Sequence, residues 1–202
     1  SEYGLSNISF HQMDILEVSS LGDTFDIIEC SGVLHHMQSP KDGLSSLINV
    51  LEVNGAIKLG LYSELARQDI IRARKIISSQ GFETSDSGIR LFRQKILNGF
   101  FPELKTLYRW TDFYTTSMCR DLCFHEQEHR YSIPQIKELL EKFKLDFLGF
   151  VLPQSVKENY TKSFKGDLSQ TNLRNWNDFE SMNPDTFMAM YQFWVRRCSG
   201  TI

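Results

Sequence analysis

Phe25-Asp-Ile-Ile-Glu-Cys-Ser-Gly-Val-Leu-His-His-Met-Gln-Ser-Pro40, with Gly55-Ala-Ile-Lys-Leu-Gly-Leu-Tyr62 downstream, decides the fold. Ile27 and Ile28 make the short apolar run of a parallel strand buried on both faces. Gly32 ends that strand where the backbone must turn or approach a ligand closely. Ser39, Pro40 and Asp42 supply a helix start: a cap, a first-turn proline and an acid three residues after the cap. Leu44, Leu47, Ile48 and Leu51 recur at i, i+3, i+4 and i+7, so one helix face is apolar, and Asn54-Gly55 reads as its stop. Ala56 to Leu61 is the next expected strand. Strand, helix and strand in this order make a parallel crossover, the unit of an α/β sheet. Ligands in such sheets bind beyond the carboxyl ends of the strands, which puts Cys30 to Met37 at a candidate site.

Working outward, Ile8 to Asp14 alternates well enough for a strand that ends on an acid. Downstream, Ser63-Glu64 opens a helix closed by Gly81, and a second helix is expected from Gly88 to Asn98. The arginines and lysine of the first, Arg67, Arg72, Arg74 and Lys75, read as a solvated face. Phe100 to Cys123 is irregular and aromatic. Ser132 caps a helix with Pro134 in its first turn, and Leu145 to Leu152 follows as a strand. Residues 153–170 read as a polar loop, and Asn172 to Met182 as a short helix. Phe187 to Val195 is apolar on both alternating faces and reads as a final strand, with a buried helix as the competing assignment.

Composition narrows the classes. At 202 residues the chain fits one domain with a real core. A net charge of -3 and no basic stripe speak against nucleic acid as a partner. No apolar run is long enough for a bilayer, and no secretory signal opens the chain, so a cytoplasmic protein without a membrane partner is expected. Cys30, Cys119, Cys123 and Cys198 show no paired framework and read as reduced thiols.

The pieces from Asp26 to Met37, the capped helix and Gly55-Ala-Ile-Lys-Leu resemble the second half of S-adenosylmethionine-dependent methyltransferases with a Rossmann-like sheet, the type 11/12 group. The likeness is strongest from about Asn7 to Tyr62. It implies an α/β fold containing the last strands of an incomplete Rossmann-like sheet, in one domain over residues 1–202. The final strand would be antiparallel, and residues 82–131 would be a helical lid inserted over the substrate. S-adenosyl-L-methionine is the implied cofactor. Asp14 would hold the adenine amino group and Ile15 would pack on the ring, although from composition alone Asp14 is a solvated acid. Cys30, Ser31, Gly32 and Val33 would line the donor. His36, then His35, would sit near the methyl group as pocket residues first and as a base second. His125, Glu128, His129 and Tyr131 would face the substrate, a small molecule or an amino-acid side chain. No G-x-G cluster occurs in the chain to cradle the donor's methionine end. The implied molecule is therefore a truncated one whose N-terminal half is missing and whose donor site is incomplete and inactive alone.

His125-Glu126-Gln127-Glu128-His129 also matches H-E-x-x-H, which serves zinc catalysis only on a continuous helix. Ser132 and Pro134 start a new helix three residues later and no Gly-x-x-His follows, so no metal is expected. Three functions stand in order: a methyltransferase, a non-catalytic module of the same fold used for interaction, and a zinc metallopeptidase.

Overall fold

A computed structural model describes residues 6–125 and 128–198. Its elements are β1 (Phe25–Ser31), α1 (Pro40–Asn49), β2 (Leu51–Ser63), α2 (Gln68–Gln80), α3 (Asp86–Leu97), α4 (Thr116–Cys119), β3 (Arg130–Tyr131), α5 (Ile133–Lys142), β4 (Leu145–Phe150), α6 (Gln154–Ser163), α7 (Leu173–Met182) and β5 (Tyr191–Arg197). The main path of the sheet runs β1-β2-β5-β4, and β3 adds a short parallel pairing at the end of β2. The crossover is present as expected: β1 and β2 are parallel, with Ile28 opposite Ile57. β5 runs antiparallel to both β2 and β4, which is the reversed final strand the resemblance implied.

Local chemistry explains most boundaries. The Ser39 hydroxyl accepts from the Asp42 N–H with Pro40 in the first turn, and α5 carries a full capping box between Ser132 and Gln135. Gly81 closes α2 in the left-handed conformation at φ 68°. One core lies against the sheet, where Leu44 and Leu47 of α1, Ile136 and Leu140 of α5, and Trp176 and Phe179 of α7 meet Ile57, Leu59 and Phe193. A second core joins α2 and α3 to the residues that follow, through Ile70, Ile89, Phe92, Leu107, Phe113 and Cys123. The aromatic half of the sequence is thus divided between two apolar centres.

Five expectations are corrected. Ile8 to Asp14 is not a strand: these residues are exposed, Phe10 by 92%, and they make no ladder, because an extended segment needs a partner for its backbone groups. β1 is not buried on both faces either, since Ile27 is 60% exposed with nothing among the described residues packed over it. Helix α1 ends at Asn49, and Asn54-Gly55 lies inside β2. There the pairing jumps from Phe25–Leu51 to Ile27–Ala56, so the Asn-Gly pair serves a bulge. A β-carbon on Gly55 would lie 2.8 Å from the Asp26 carbonyl oxygen, which is why only glycine fits. Helix α2 starts five residues after Ser63, which remains in β2. The expected loop over residues 153–170 contains α6, anchored where the buried Tyr160 stacks on Trp176 at 3.7 Å and its hydroxyl donates to Asp167. Its polar sequence lacks a helical stripe, so that tertiary anchor was invisible locally.

Among the described residues no helix is long and apolar enough to cross a membrane. The four cysteines are free thiols.

Candidate functional site

The turn after β1 is the hinge of the site. Gly32 takes φ 80°, a conformation glycine adopts without strain, and a β-carbon there would meet nothing within 4 Å. The chain then forms a single 3-10 turn over Leu34–His36 that buries Leu34 and His35 and leaves Val33 exposed. Cys30 belongs to the core, and burial pushes its thiol up to about 11, so it is no nucleophile. The neighbouring Ser31 hydroxyl is buried and has no protein partner.

On one side of this turn lies a cleft of about 540 Å³ whose walls include Asp14, Ile15, Met37, Gln38, Ser39 and Asp42. Asp14 caps the 3-10 helix Ile15–Leu21, its carboxylate accepting from the Leu16 N–H at 2.9 Å. Asp14 and Ile15, expected together from the sequence, therefore reach the segment that follows the two histidines, although they arrive on a cap and not on a strand.

On the other side the rings converge. His35 stacks on Tyr62, the penultimate residue of β2, at 3.7 Å between centroids, and His36 meets His35 edge-on at 4.4 Å. His125 packs its ring 4.2 Å from that of His36. The His129 N–H donates to the His35 carbonyl at 2.8 Å, so residues 128–131 strap across the histidine turn. His35 is fully buried and neither ring nitrogen has a hydrogen-bond partner of good geometry. Burial above all, with the His36 charge adding to it, lowers its pKa to about 4, against weaker opposition from Glu128 and the Gly60 backbone. His35 is therefore a neutral ring at pH 7, whereas His36 is only half-buried and is the better placed of the two to meet a ligand.

Glu128 anchors the strap. Its side chain is wholly buried and takes a two-pronged bond from Arg67 at 3.1 and 2.7 Å, with Arg74 at 2.9 Å and Arg130 at 3.4 Å. Burial pushes this carboxyl up, but Arg67 and then Arg74 and Arg130 outweigh it, so its pKa lies below the usual carboxylate range. With its oxygens held by three guanidiniums, Glu128 positions the strap and does not face a cleft. His129 and Tyr131 line a separate groove beside Gln38 and Lys41. His125, Glu128 and His129 all lie outside helices, so the continuous helix that H-E-x-x-H requires is not formed among the described residues. Glu126 lies outside the described residues.

Several groups of the site gave no local signal. Arg67, read as solvated, is 2% exposed and lies 3.7 Å over the Tyr62 ring. Tyr62, Arg67, Trp110, Asp112, Met188 and Met190 help to line a cavity of about 370 Å³ at the end of β2. A β-carbon on Gly60 would clash with Met190 Sδ at 2.8 Å and Ser31 Cα at 2.9 Å, so glycine lets β1, β2 and Met190 close up here. Behind them the buried Glu180 accepts from Ser63 at 2.7 Å and from Tyr191 at 2.7 and 2.8 Å, joining α7 to the ends of β2 and β5.

Residues 1–59 match the family model described as a methyltransferase domain. An uncharacterised protein of Synechococcus sp., syc1184_c, is 30% identical over 151 residues, covering 71% of this chain and 36% of that protein. The structure of PKMT2 from Rickettsia typhi superposes with a TM-score of 0.66 at 15% identity, over 94% of this chain and 38% of that one. PKMT2 from the same organism in complex with AdoHcy gives a TM-score of 0.63 at 17% identity, over 92% and 38%. The chain thus spans little more than a third of the length of these relatives, and at such identities the structural likeness speaks for the fold.

Proposed function

We propose, from the match of residues 1–59 to the methyltransferase-domain family, that this chain serves S-adenosylmethionine-dependent methyl transfer to a small molecule or an amino-acid side chain. One observation carries the proposal. The cleft of Asp14, Ile15 and Met37 lies against the segment that follows β1 and its histidine turn, and open α/β sheets take their ligands beyond the carboxyl ends of their strands. The family match covers this same segment.

The residues present suit the adenosine end of the donor. Asp14 offers a carboxylate to an exocyclic amino group, Ile15 and Met37 offer apolar contact to a ring, and Ser31 has a hydroxyl without a partner. Gly32 and Val33 leave the backbone open to close approach. The donor supplies an activated methyl group, and in-line displacement at carbon depends mainly on positioning. His36 is the residue to take a proton from an oxygen or nitrogen nucleophile. His35, neutral and stacked on Tyr62, holds the turn and is a positioning residue. Residues 82–131, whose described part shares an apolar core with α2, act as the lid, with His125, His129 and Tyr131 on its inner edge and Glu128 as its anchor. These 202 residues contain no G-x-G cluster, so the methionine end and the ribose are held by residues outside them. Free thiols suit a cytoplasmic setting.

NMR titration of the 202-residue chain with S-adenosylhomocysteine tests this directly. Shifts should concentrate at Asp14, Ile15, Gly32 and Val33, with weak affinity. Asp14→Ala should weaken binding about fivefold, the value of one net hydrogen bond of about 1 kcal/mol. No shifts at these residues even at millimolar ligand would support the non-catalytic module instead. Micromolar affinity would overturn the incomplete donor site.

A further inference from the structure

A second cleft of about 430 Å³ lies on α2, lined by Ile71, Arg74, Lys75, Ser78, Ser79 and Arg130. It shares no residue with the cleft at Asp14 or with the cavity at Tyr62, and only Arg130 with the groove at His129. We propose that it binds a phosphate monoester, a property independent of methyl transfer.

The helical period explains the convergence. Ile71, Arg74, Lys75, Ser78 and Ser79 fall at i, i+3, i+4, i+7 and i+8, so they share one face of α2, and β3 brings Arg130 to it. The charges around the cleft do not balance. Among the described residues, Arg74 and Arg130 of the lining pair with Glu128 and Glu64, and Lys75 makes no ion pair. Lys75 is thus left for an anion to pair with, beside two guanidiniums whose planar N–H groups suit phosphate oxygens. The Nε–H of Arg74 is buried without an acceptor. Burial, with Arg67 and Arg130 adding to it, works against the Arg74 charge despite Glu128, and an incoming anion would relieve that cost.

Size and lining identify the ligand further. The space exceeds what an inorganic ion needs, while Ile71 and the aliphatic stems of the basic residues give an apolar wall for the group carrying the phosphate. Ser78 adds a hydroxyl on the same face. The carboxyl end of α2 opposes an anion, but its effect is about half a charge and is outweighed by the full charge of Lys75.

Calorimetric titration of the 202-residue chain with inorganic phosphate and with phenyl phosphate tests the site. Phenyl phosphate should bind more tightly than inorganic phosphate, and added salt should weaken both. Lys75 is exposed, so Lys75→Glu should fold as the parent does by circular dichroism. It should lose at least about tenfold in affinity, while Lys75→Arg stays within about threefold. Absence of binding at millimolar phenyl phosphate, equal affinity in Lys75→Glu, or equal binding of benzoate would each overturn the proposal.

Discussion

Replacing His35 by Phe isolates the energetic cost of burying an imidazole in this turn. The variant keeps an aromatic ring against Tyr62 and removes the titration. In the native chain the His35 pKa falls from 6.5 to about 4. A tenfold change in proton affinity is worth about 1.4 kcal/mol, so the linkage reaches an upper value of about 3 kcal/mol. The direction is fixed by which state takes the proton first. Below pH 6.5 the unfolded chain protonates this histidine while the folded chain resists until about pH 4, so stability present at neutral pH is lost across that window. Urea denaturation at pH 7, 5.5 and 4.5 should therefore show the parent losing stability relative to His35→Phe by about 2–3 kcal/mol, with little change in m. Glu128, whose pKa is lowered, and Glu180, whose pKa is raised by burial, titrate in both proteins and cancel in the difference. At pH 7 the substitution should cost no more than about 1 kcal/mol, because neither ring nitrogen has a well-made hydrogen bond to lose. Parallel pH profiles for the two proteins would refute the account, since they would mean that His35 titrates alike in both states.

Two further outcomes probe the framework. Gly55→Ala would push a β-carbon to 2.8 Å from the Asp26 carbonyl, backbone that cannot step aside, and should destabilise by about 1–3 kcal/mol in thermal or urea unfolding. Glu128→Gln keeps the shape but leaves three guanidiniums around a neutral group; urea unfolding should report a loss of about 3–5 kcal/mol, and a loss below about 1 kcal/mol would show that the strap is held by other contacts.

Much of the first quarter was legible in residue order because its signals are local. The Ser39 cap with Pro40, the apolar positions of α1 and the glycine after β1 each act over a few residues, and the crossover they imply is present. The same holds for the capping box of α5 and the glycine that closes α2. Local signals misled where one residue type serves two ends: Asn54-Gly55 stops a helix as readily as it forms a bulge, and only the approach of the Asp26 backbone selects the bulge.

The site was legible by halves. Asp14, Ile15 and the His35-His36 turn were read as one site through the order of motifs, and the structure gives Asp14 and Ile15 a cleft shared with Met37, the residue after the turn. The histidine environment was not found, because Tyr62, Arg67, Glu128 and His125 come from separate segments and meet only when the second apolar core closes. Sequence by itself determined the parallel crossover, since period, caps and turn glycines act within a few residues. Tertiary structure alone decided which charges are buried. A carboxylate such as Glu128 and a guanidinium such as Arg67 look solvated in any local window, and their burial depends on each finding the other 61 positions away.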